Sequence, residues 1–113
     1  MEVTSLAGAE PFTTKDGSTI RELHHTAAQS LAEATVEPGA TTQRHFHRRS
    51  EEIYFVLDGT GEMELDGERR EVAPGDAVLI PPGARHQIRA VGSGLLFLCA
   101  CSPPYSHDDT FFE

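Results

Sequence analysis

Short runs of apolar and β-branched residues alternate with polar residues along most of the chain, and glycine, proline or Asp-Gly pairs separate the runs. A period of two is typical of strands that bury one face. No window of eleven or more residues shows the 3.6-residue period of an amphipathic helix. The pattern predicts nine strands, at 18–23, 30–36, 41–47, 51–57, 62–65, 68–72, 77–81, 85–91 and 94–102.

Strands spaced about ten residues apart, with turn signals between them, indicate an antiparallel sandwich or barrel. We therefore predict an all-β fold in one domain. The barrel is expected to span residues 18–102, with an N-terminal arm at 1–17 and a C-terminal tail at 103–113 outside it. For the tail, a solvated or dimer-contacting segment is favoured over a lid in which His107, Asp108 and Asp109 would supply an acid or base.

Charge and hydropathy exclude several classes of partner. The formal net charge of −9 argues against a phosphate-binding surface, and the nine basic residues form no stripe, so no nucleic-acid partner is expected. The longest apolar run, Leu95 to Cys101, is far too short to span a bilayer, so no membrane partner is expected. The first ten residues lack the charged and apolar regions of a signal peptide, and we expect a cytoplasmic protein.

The last predicted strand is apolar on both faces, with Leu96 and Leu98 on one and Leu95 and Phe97 on the other. The interior of one small barrel cannot hide both faces, so the sequence predicts a homodimer. The strand around Ile20 is the candidate for pairing with the sheet edge of the partner.

The only two cysteines, Cys99 and Cys101, lie two residues apart on the same predicted strand. They share a face, and neighbours at this spacing do not form a normal disulfide. Two small buried hydrophobic residues with free thiols are the favoured interpretation, and metal binding by Cys-x-Cys is the alternative.

Candidate chemistry begins in the stretch QRHFHRRSEEIYFVLDG, at 43–59. His45 and His47 share one face of their predicted strand, and Glu52 shares a face with Tyr54 on the next strand. Two imidazoles and a carboxylate that converge inside a barrel suit divalent first-row metals. Glu51 fits a surface position at the strand end better than a ligand position. The alternative is that these histidines and glutamates are ordinary surface residues of an acidic protein.

Two longer motifs in this chain resemble those of the cupin superfamily. Residues Gly39 to Gly59 match the first cupin motif, which is a glycine, five residues, His-x-His, three or four residues, a glutamate, six residues and a glycine. Residues Gly75 to His86 match the second, which is a glycine, five residues, Pro-x-Gly, two residues and a histidine. The pattern continues with an asparagine where this chain has Ala90. The short connection between the motifs is similar to that of small single-domain bacterial cupins, including those likened to mannose-6-phosphate isomerase.

The resemblance implies a cupin jelly-roll β-barrel (a double-stranded β-helix) with one divalent metal ion inside one end. Three imidazoles and one carboxylate, the ligand set that the resemblance implies, suit Mn²⁺ or Fe²⁺ as the working ion, whereas the affinity order would favour Ni²⁺, Cu²⁺ or Zn²⁺ in purified protein. Catalytic residues are not assigned by the motifs. Carried over position by position, the metal ligands are His45, His47, Glu52 and His86, and face-sharing with these ligands adds Gln43, Tyr54 and Ile88 as pocket residues.

Three classes of function remain open, because this fold hosts many chemistries. The first is a metal-dependent enzyme acting on a small oxygenated or sugar-like molecule, of dioxygenase, isomerase or lyase type. The second is a non-catalytic module that binds or senses a small ligand, although no output domain accompanies it in this sequence. The third is a barrel that the metal only stabilises.

Overall fold

The computed structural model describes all 113 residues, Met1–Glu113, and confirms the all-β prediction. None of its helices has the length and apolar character needed to cross a membrane. Two short 3₁₀ turns lie at Leu6–Gly8 and His107–Asp109. The strands are β1 (Phe12–Thr13), β2 (Thr19–His25), β3 (Ser30–Val36), β4 (His45–Phe46), β5 (Glu51–Leu65), β6 (Glu68–Val72), β7 (Ala77–Ile80), β8 (His86–Ser102) and β9 (Phe111–Phe112).

The nine strands form one continuous sheet that curls on itself, and its two packed halves are called the two sheets below. The long strands β5 and β8 pair with each other along their length and take part in both halves. Their antiparallel ladder runs from the pair Glu51 and Ser102 to the pair Leu65 and His86. The first half of β5 also pairs with β7. The second half of β8 pairs with β3, β3 pairs with β2, and β2 pairs with β1 at the edge. The second half of β5 pairs with β6, and the start of β8 pairs with β4, which β9 follows. Both sheets contribute side chains to one buried core.

The sequence pattern predicted four strands where the structure has two, because glycines inside β5 and β8 resemble turn signals. The register between these strands shifts at Val56–Asp58 and again at Asp58–Thr60. Gly59 has a φ of 82°, and a Cβ there would collide with the carbonyl oxygen of Gly94. Gly59 therefore allows β5 to bend against β8 and pass from one sheet to the other without ending.

The terminal segments pack onto the barrel, which differs from the expectation that they lie outside it. At the N-terminus, β1 pairs with β2 and covers the edge beside Ile20 that was expected to meet a partner subunit. At the C-terminus, β9 pairs with β4, and Asp109 and Thr110 are buried. The sequence pattern missed these segments because their strands are only two residues long.

One outer face of the first sheet is apolar and exposed. Ile53, Phe55 and Leu57 on β5 and Leu79 on β7 expose between 39% and 54% of their surface. Ile53 and Leu79 are direct cross-strand neighbours, so the four side chains form one patch. An uncharged patch of this kind suits a second copy of the same chain, because an interface about a two-fold axis is self-complementary.

We expect Ile53→Glu and Leu79→Glu to convert a dimer into a monomer, because each places a charge in the apolar patch. Light scattering at micromolar concentration should give twice the chain mass for the wild type and a single chain mass for both variants. Arg70→Glu is the matched control, since Arg70 is exposed on β6 of the other sheet. A monomeric wild type, or a dimer that survives both substitutions, would contradict this prediction.

Candidate metal centre

Four side chains from the two sheets converge in the barrel interior. His45 lies on β4, His47 lies just after β4, and His86 begins β8 directly opposite His45. Glu52 comes from the first half of β5 and approaches from the other sheet. Each of the four is at most 4% exposed, and their ligand atoms all lie within 4.8 Å of one another. The structure thus brings together the four residues that the sequence indicated, whereas Glu51 is exposed.

Backbone carbonyl groups orient all three imidazoles. His45 Nδ1 lies 2.8 Å from the carbonyl oxygen of Gln43, and His86 Nδ1 lies 2.9 Å from that of Ala84. His47 Nδ1 lies 3.0 Å from the carbonyl oxygen of Asp109. A carbonyl only accepts, so each Nδ1 must carry the proton and donate it. The unprotonated Nε2 atoms are then free to bind a cation, which is the usual arrangement around metal-ligating histidines.

Two atoms at the centre of this group lack partners. Glu52 Oε1 and His86 Nε2 are buried side-chain atoms without a hydrogen bond. Glu52 Oε1 lies 3.3 Å from His86 Nε2 and 3.4 Å from His47 Nε2. An ion with ligand bonds of about 2.0–2.2 Å separates neighbouring ligand atoms by about 3.0–3.5 Å. The four residues therefore fit a divalent metal, which would satisfy atoms that are otherwise buried at a cost.

The charges of the group are strongly coupled. Burial alone would raise the pKa of Glu52, but the imidazoles of His47 and His86 outweigh it and hold that pKa well below its ordinary range. Burial also disfavours a charged His47, yet the adjacent Glu52 carboxylate raises the pKa of His47. Burial together with the His86 imidazole lowers the pKa of His45 to about 4, although the Asp16 carboxylate, 3.5 Å from His45 Nε2, acts in the opposite direction. An ionised carboxylate that faces three imidazoles is a donor set for a first-row divalent ion.

Two thiols contact the other oxygen of the carboxylate. Cys99 Sγ lies 2.7 Å and Cys101 Sγ lies 3.2 Å from Glu52 Oε2. The contact with Cys101, burial and the Glu52 charge raise the pKa of Cys99 well above its ordinary range. The Cys99 thiol is therefore a protonated donor to Oε2, and the contacts of both sulfurs with Oε2 leave Oε1 facing the imidazoles.

A small cavity of about 30 Å³, open to solvent on one side, adjoins His45, His47 and Glu52. Tyr54 lines it, and burial raises the pKa of its phenol well above the ordinary value, so it remains a hydrogen-bond donor. Gln43 and Ile88, the other two residues proposed for the pocket, do not line this cavity. Gln43 precedes the short strand β4 and is exposed, while Ile88 is fully buried in the hydrophobic core. The polar lining comprises Thr14, Asp16, Ser18, Ser30, Tyr54, Tyr105 and Thr110.

Asp16 is a site residue that the sequence pattern did not reveal, because it lies in the segment taken for an N-terminal arm. Its Oδ1 accepts hydrogen bonds from Thr14 Oγ1 at 2.6 Å, Ser18 Oγ at 2.7 Å and Ser18 N at 2.9 Å. Its Oδ2 lies 3.5 Å from His45 Nε2 and faces the cavity. The only sequence signal was a Thr-x-Asp-Gly-Ser turn, in which an aspartate commonly binds the backbone two residues later.

Asp109 connects the C-terminal segment to the candidate metal ligands through hydrogen bonds. Its carboxylate accepts backbone hydrogen bonds from Arg48, Arg49 and Ser50, at distances between 3.1 and 3.3 Å. Its own carbonyl accepts from His47 Nδ1. One residue thus holds the β4–β5 connection and orients one imidazole.

The sequence matches a family model described as the cupin domain over residues 32–101. An uncharacterized protein of Methanocaldococcus jannaschii is 50% identical over 107 residues, covering 89% of this chain and 86% of that protein. The 5-nitrosalicylic acid 1,2-dioxygenase of Bradyrhizobium sp. is 37% identical over 57 residues, which are 50% of this chain and 27% of that enzyme. Several other curated relatives are also matched over only about 38–54% of their own length.

Among solved structures, KdgF from Halomonas sp. superposes with a TM-score of 0.85 at 25% identity, covering 94% of this chain and 96% of that one. The fold, the two motifs and the family match agree over the residues that carry the site. The chain belongs to the cupin family.

Proposed function

We propose that this protein is a metal-dependent enzyme that acts on a small oxygen-bearing molecule. His45, His47, Glu52 and His86 would hold the ion. The observation that supports this most directly is the pair of partnerless buried atoms, Glu52 Oε1 and His86 Nε2, beside a cavity with a polar lining. An ion required only for folding would gain nothing from such a cavity.

The ion would supply Lewis-acid polarisation of a substrate oxygen. The donor set of three imidazoles and one carboxylate suits Mn²⁺ or Fe²⁺ in function, and Zn²⁺ or Ni²⁺ would compete during purification. Glu52 holds its negative charge at the centre because its pKa is depressed. Tyr54 and Tyr105 line the cavity and offer phenol groups to substrate oxygens.

Asp16 favours acid–base chemistry over dioxygenation. Its Oδ1 is occupied by three donors, so the carboxylate is fixed in orientation with Oδ2 toward the cavity. A fixed carboxylate beside a polarised substrate carbonyl can remove a proton from the carbon next to that carbonyl group, which leaves an enolate. Return of that proton to another carbon would give an isomerisation, and loss of a neighbouring hydroxyl as water would give an elimination. We therefore propose a reaction of isomerase or lyase type, with Asp16 as the base.

The test combines a substrate screen with two readouts. Protein loaded anaerobically with Mn²⁺ or Fe²⁺ is offered hydroxy acids, sugar acids, diketones and phenols, and deuterium incorporation from solvent is followed by NMR beside oxygen uptake. We expect deuterium incorporation without oxygen uptake in the wild type. Asp16→Asn should lower that rate by roughly 10²–10⁴-fold with unchanged metal content. His86→Ala should lose metal and activity together.

Two outcomes would overturn the proposal. Oxygen uptake that Asp16→Asn leaves unchanged would identify a dioxygenase. Saturable binding of a screened compound, without turnover by any metal form, would identify a ligand-binding module.

A further inference from the structure

The proposed reaction gives the two cysteines no chemical step, although both line the cavity and contact the Glu52 carboxylate. On the ladder between β5 and β8, Cys101 is directly opposite Glu52 and Cys99 is opposite Tyr54. Both thiols therefore point into the barrel on the same side as the Glu52 carboxylate. Packing alone does not explain two sulfurs placed against one carboxylate oxygen.

The sulfur positions match those of metal ligands. Cys99 Sγ and Cys101 Sγ are 3.8 Å apart, and both contact Glu52 Oε2. A tetrahedral ion with metal–sulfur bonds of about 2.3 Å separates two sulfur ligands by about 3.8 Å. The two sulfurs are already at the spacing that such an ion requires. Glu52 Oε2, at 2.7 and 3.2 Å from the sulfurs, is the third ligand atom, and these two distances would lengthen to about 3.6 Å when an ion replaces the thiol protons.

Glu52 presents a different oxygen to each group of ligands. Oε1 faces the imidazoles of His47 and His86, at 3.4 and 3.3 Å. Oε2 faces the two thiols. One carboxylate can therefore serve two neighbouring ions, each through its own oxygen.

We propose that Cys99, Cys101 and Glu52 form a second metal site, specific for a soft, thiophilic cation and distinct from the imidazole site. Cations of this class include Zn²⁺, Cd²⁺ and Cu⁺, whereas Mn²⁺ and Mg²⁺ favour oxygen ligands. Binding breaks both S–H bonds, releases two protons to solvent and forms two metal–thiolate bonds, with no change of oxidation state. The cavity side of the site leaves room for a further ligand.

Cadmium is the probe, because its thiolate complexes give a charge-transfer absorption band. Chelator-treated full-length protein is dialysed against Cd²⁺ at pH 8, and bound cadmium per chain is measured together with the band. We expect two ions per chain and the band in the wild type. The double variant Cys99→Ser with Cys101→Ser should bind one ion without the band, and His86→Ala should retain the band with one ion.

A Mn²⁺ titration is the control for folding of the thiol variant, since both it and the wild type should bind one Mn²⁺ per chain. If the double serine variant fails this control, Cys99→Ala with Cys101→Ala replaces it. Two cadmium ions in a thiol variant that passes the control would overturn the proposal, as would a wild type without the band. A single cadmium ion in the wild type that shows the band and excludes Mn²⁺ would also overturn it, because thiols and imidazoles would then share one site.

Discussion

Asp109→Ala is expected to destabilise the barrel and to weaken metal binding in the same variant. The substitution removes the acceptor of three backbone N–H groups, on Arg48, Arg49 and Ser50. A buried donor left without a partner costs about 1–3 kcal/mol. Arg48 and Arg49 are exposed enough for water to reach them, so we expect a total loss of about 2–4 kcal/mol rather than three full penalties.

Metal affinity should fall because Asp109 also positions the turn whose carbonyl orients His47. Loss of such an outer contact typically costs 10–100-fold in affinity. Chemical denaturation and Mn²⁺ titration measure the two effects separately. Asp108→Ala is the matched control, since the Asp108 carboxylate is next in the chain and is exposed. Asp109→Asn should lie between the control and Asp109→Ala, because the asparagine keeps one acceptor oxygen. An Asp109→Ala protein that unfolds and binds metal like the control would show that the C-terminal segment does not support the site.

The parts of the fold that a local pattern could predict are those with strict alternation and clear turns. Strand β3 and strand β6 have the predicted bounds, 30–36 and 68–72, because β3 alternates and ends before Pro38-Gly39, and β6 is enclosed by Asp66-Gly67 and Pro74. The continuity of β5 and β8 could not be predicted in this way. Gly59 and Gly94 look like turn residues in the sequence, and only their mutual packing shows that they mark bends within paired strands.

The residues of the candidate site also fall into those that the sequence could predict and those that it could not. His45, His47, Glu52 and His86 occupy motif positions, so the sequence could nominate them, and the structure brings them together. Asp16 and Asp109 belong to no motif. Asp109 contacts Arg48, which lies 61 residues earlier in the chain. Asp16 contacts His45, which lies 29 residues later. Long-range contacts of this kind leave no periodic signal in a single sequence.

Bound metal is expected to stabilise the fold strongly at pH 8 and hardly at all at pH 5. At a free metal concentration a hundredfold above its dissociation constant, binding to the folded chain alone contributes about 2.7 kcal/mol. Imidazoles must be neutral to bind, so protons compete with the ion. Glu52 raises the pKa of His47 above 6.5, whereas the pKa of His45 is about 4. Competition therefore begins at His47, and the affinity should already decline above pH 6.5.

The metal-free fold should respond less to pH, because its two shifted histidines have opposite effects. The raised pKa of His47 contributes stability that is present below the unfolded value of about 6.5 and is lost as pH rises through the folded value. The lowered pKa of His45 has the opposite effect on stability. As pH falls below about 6.5, the unfolded chain binds a proton at His45, whereas the folded chain binds it only near pH 4, so the folded state loses stability. Thermal melts from pH 5 to pH 8, with and without chelator, separate the two forms. With Mn²⁺ as the loaded ion, we expect the chelator-induced fall in Tm to be largest at pH 8, to shrink steadily toward pH 5, and to be absent throughout in His86→Ala, which lacks one of the imidazole ligands. A chelator effect of equal size at both ends of the range would show that these histidines do not bind the ion.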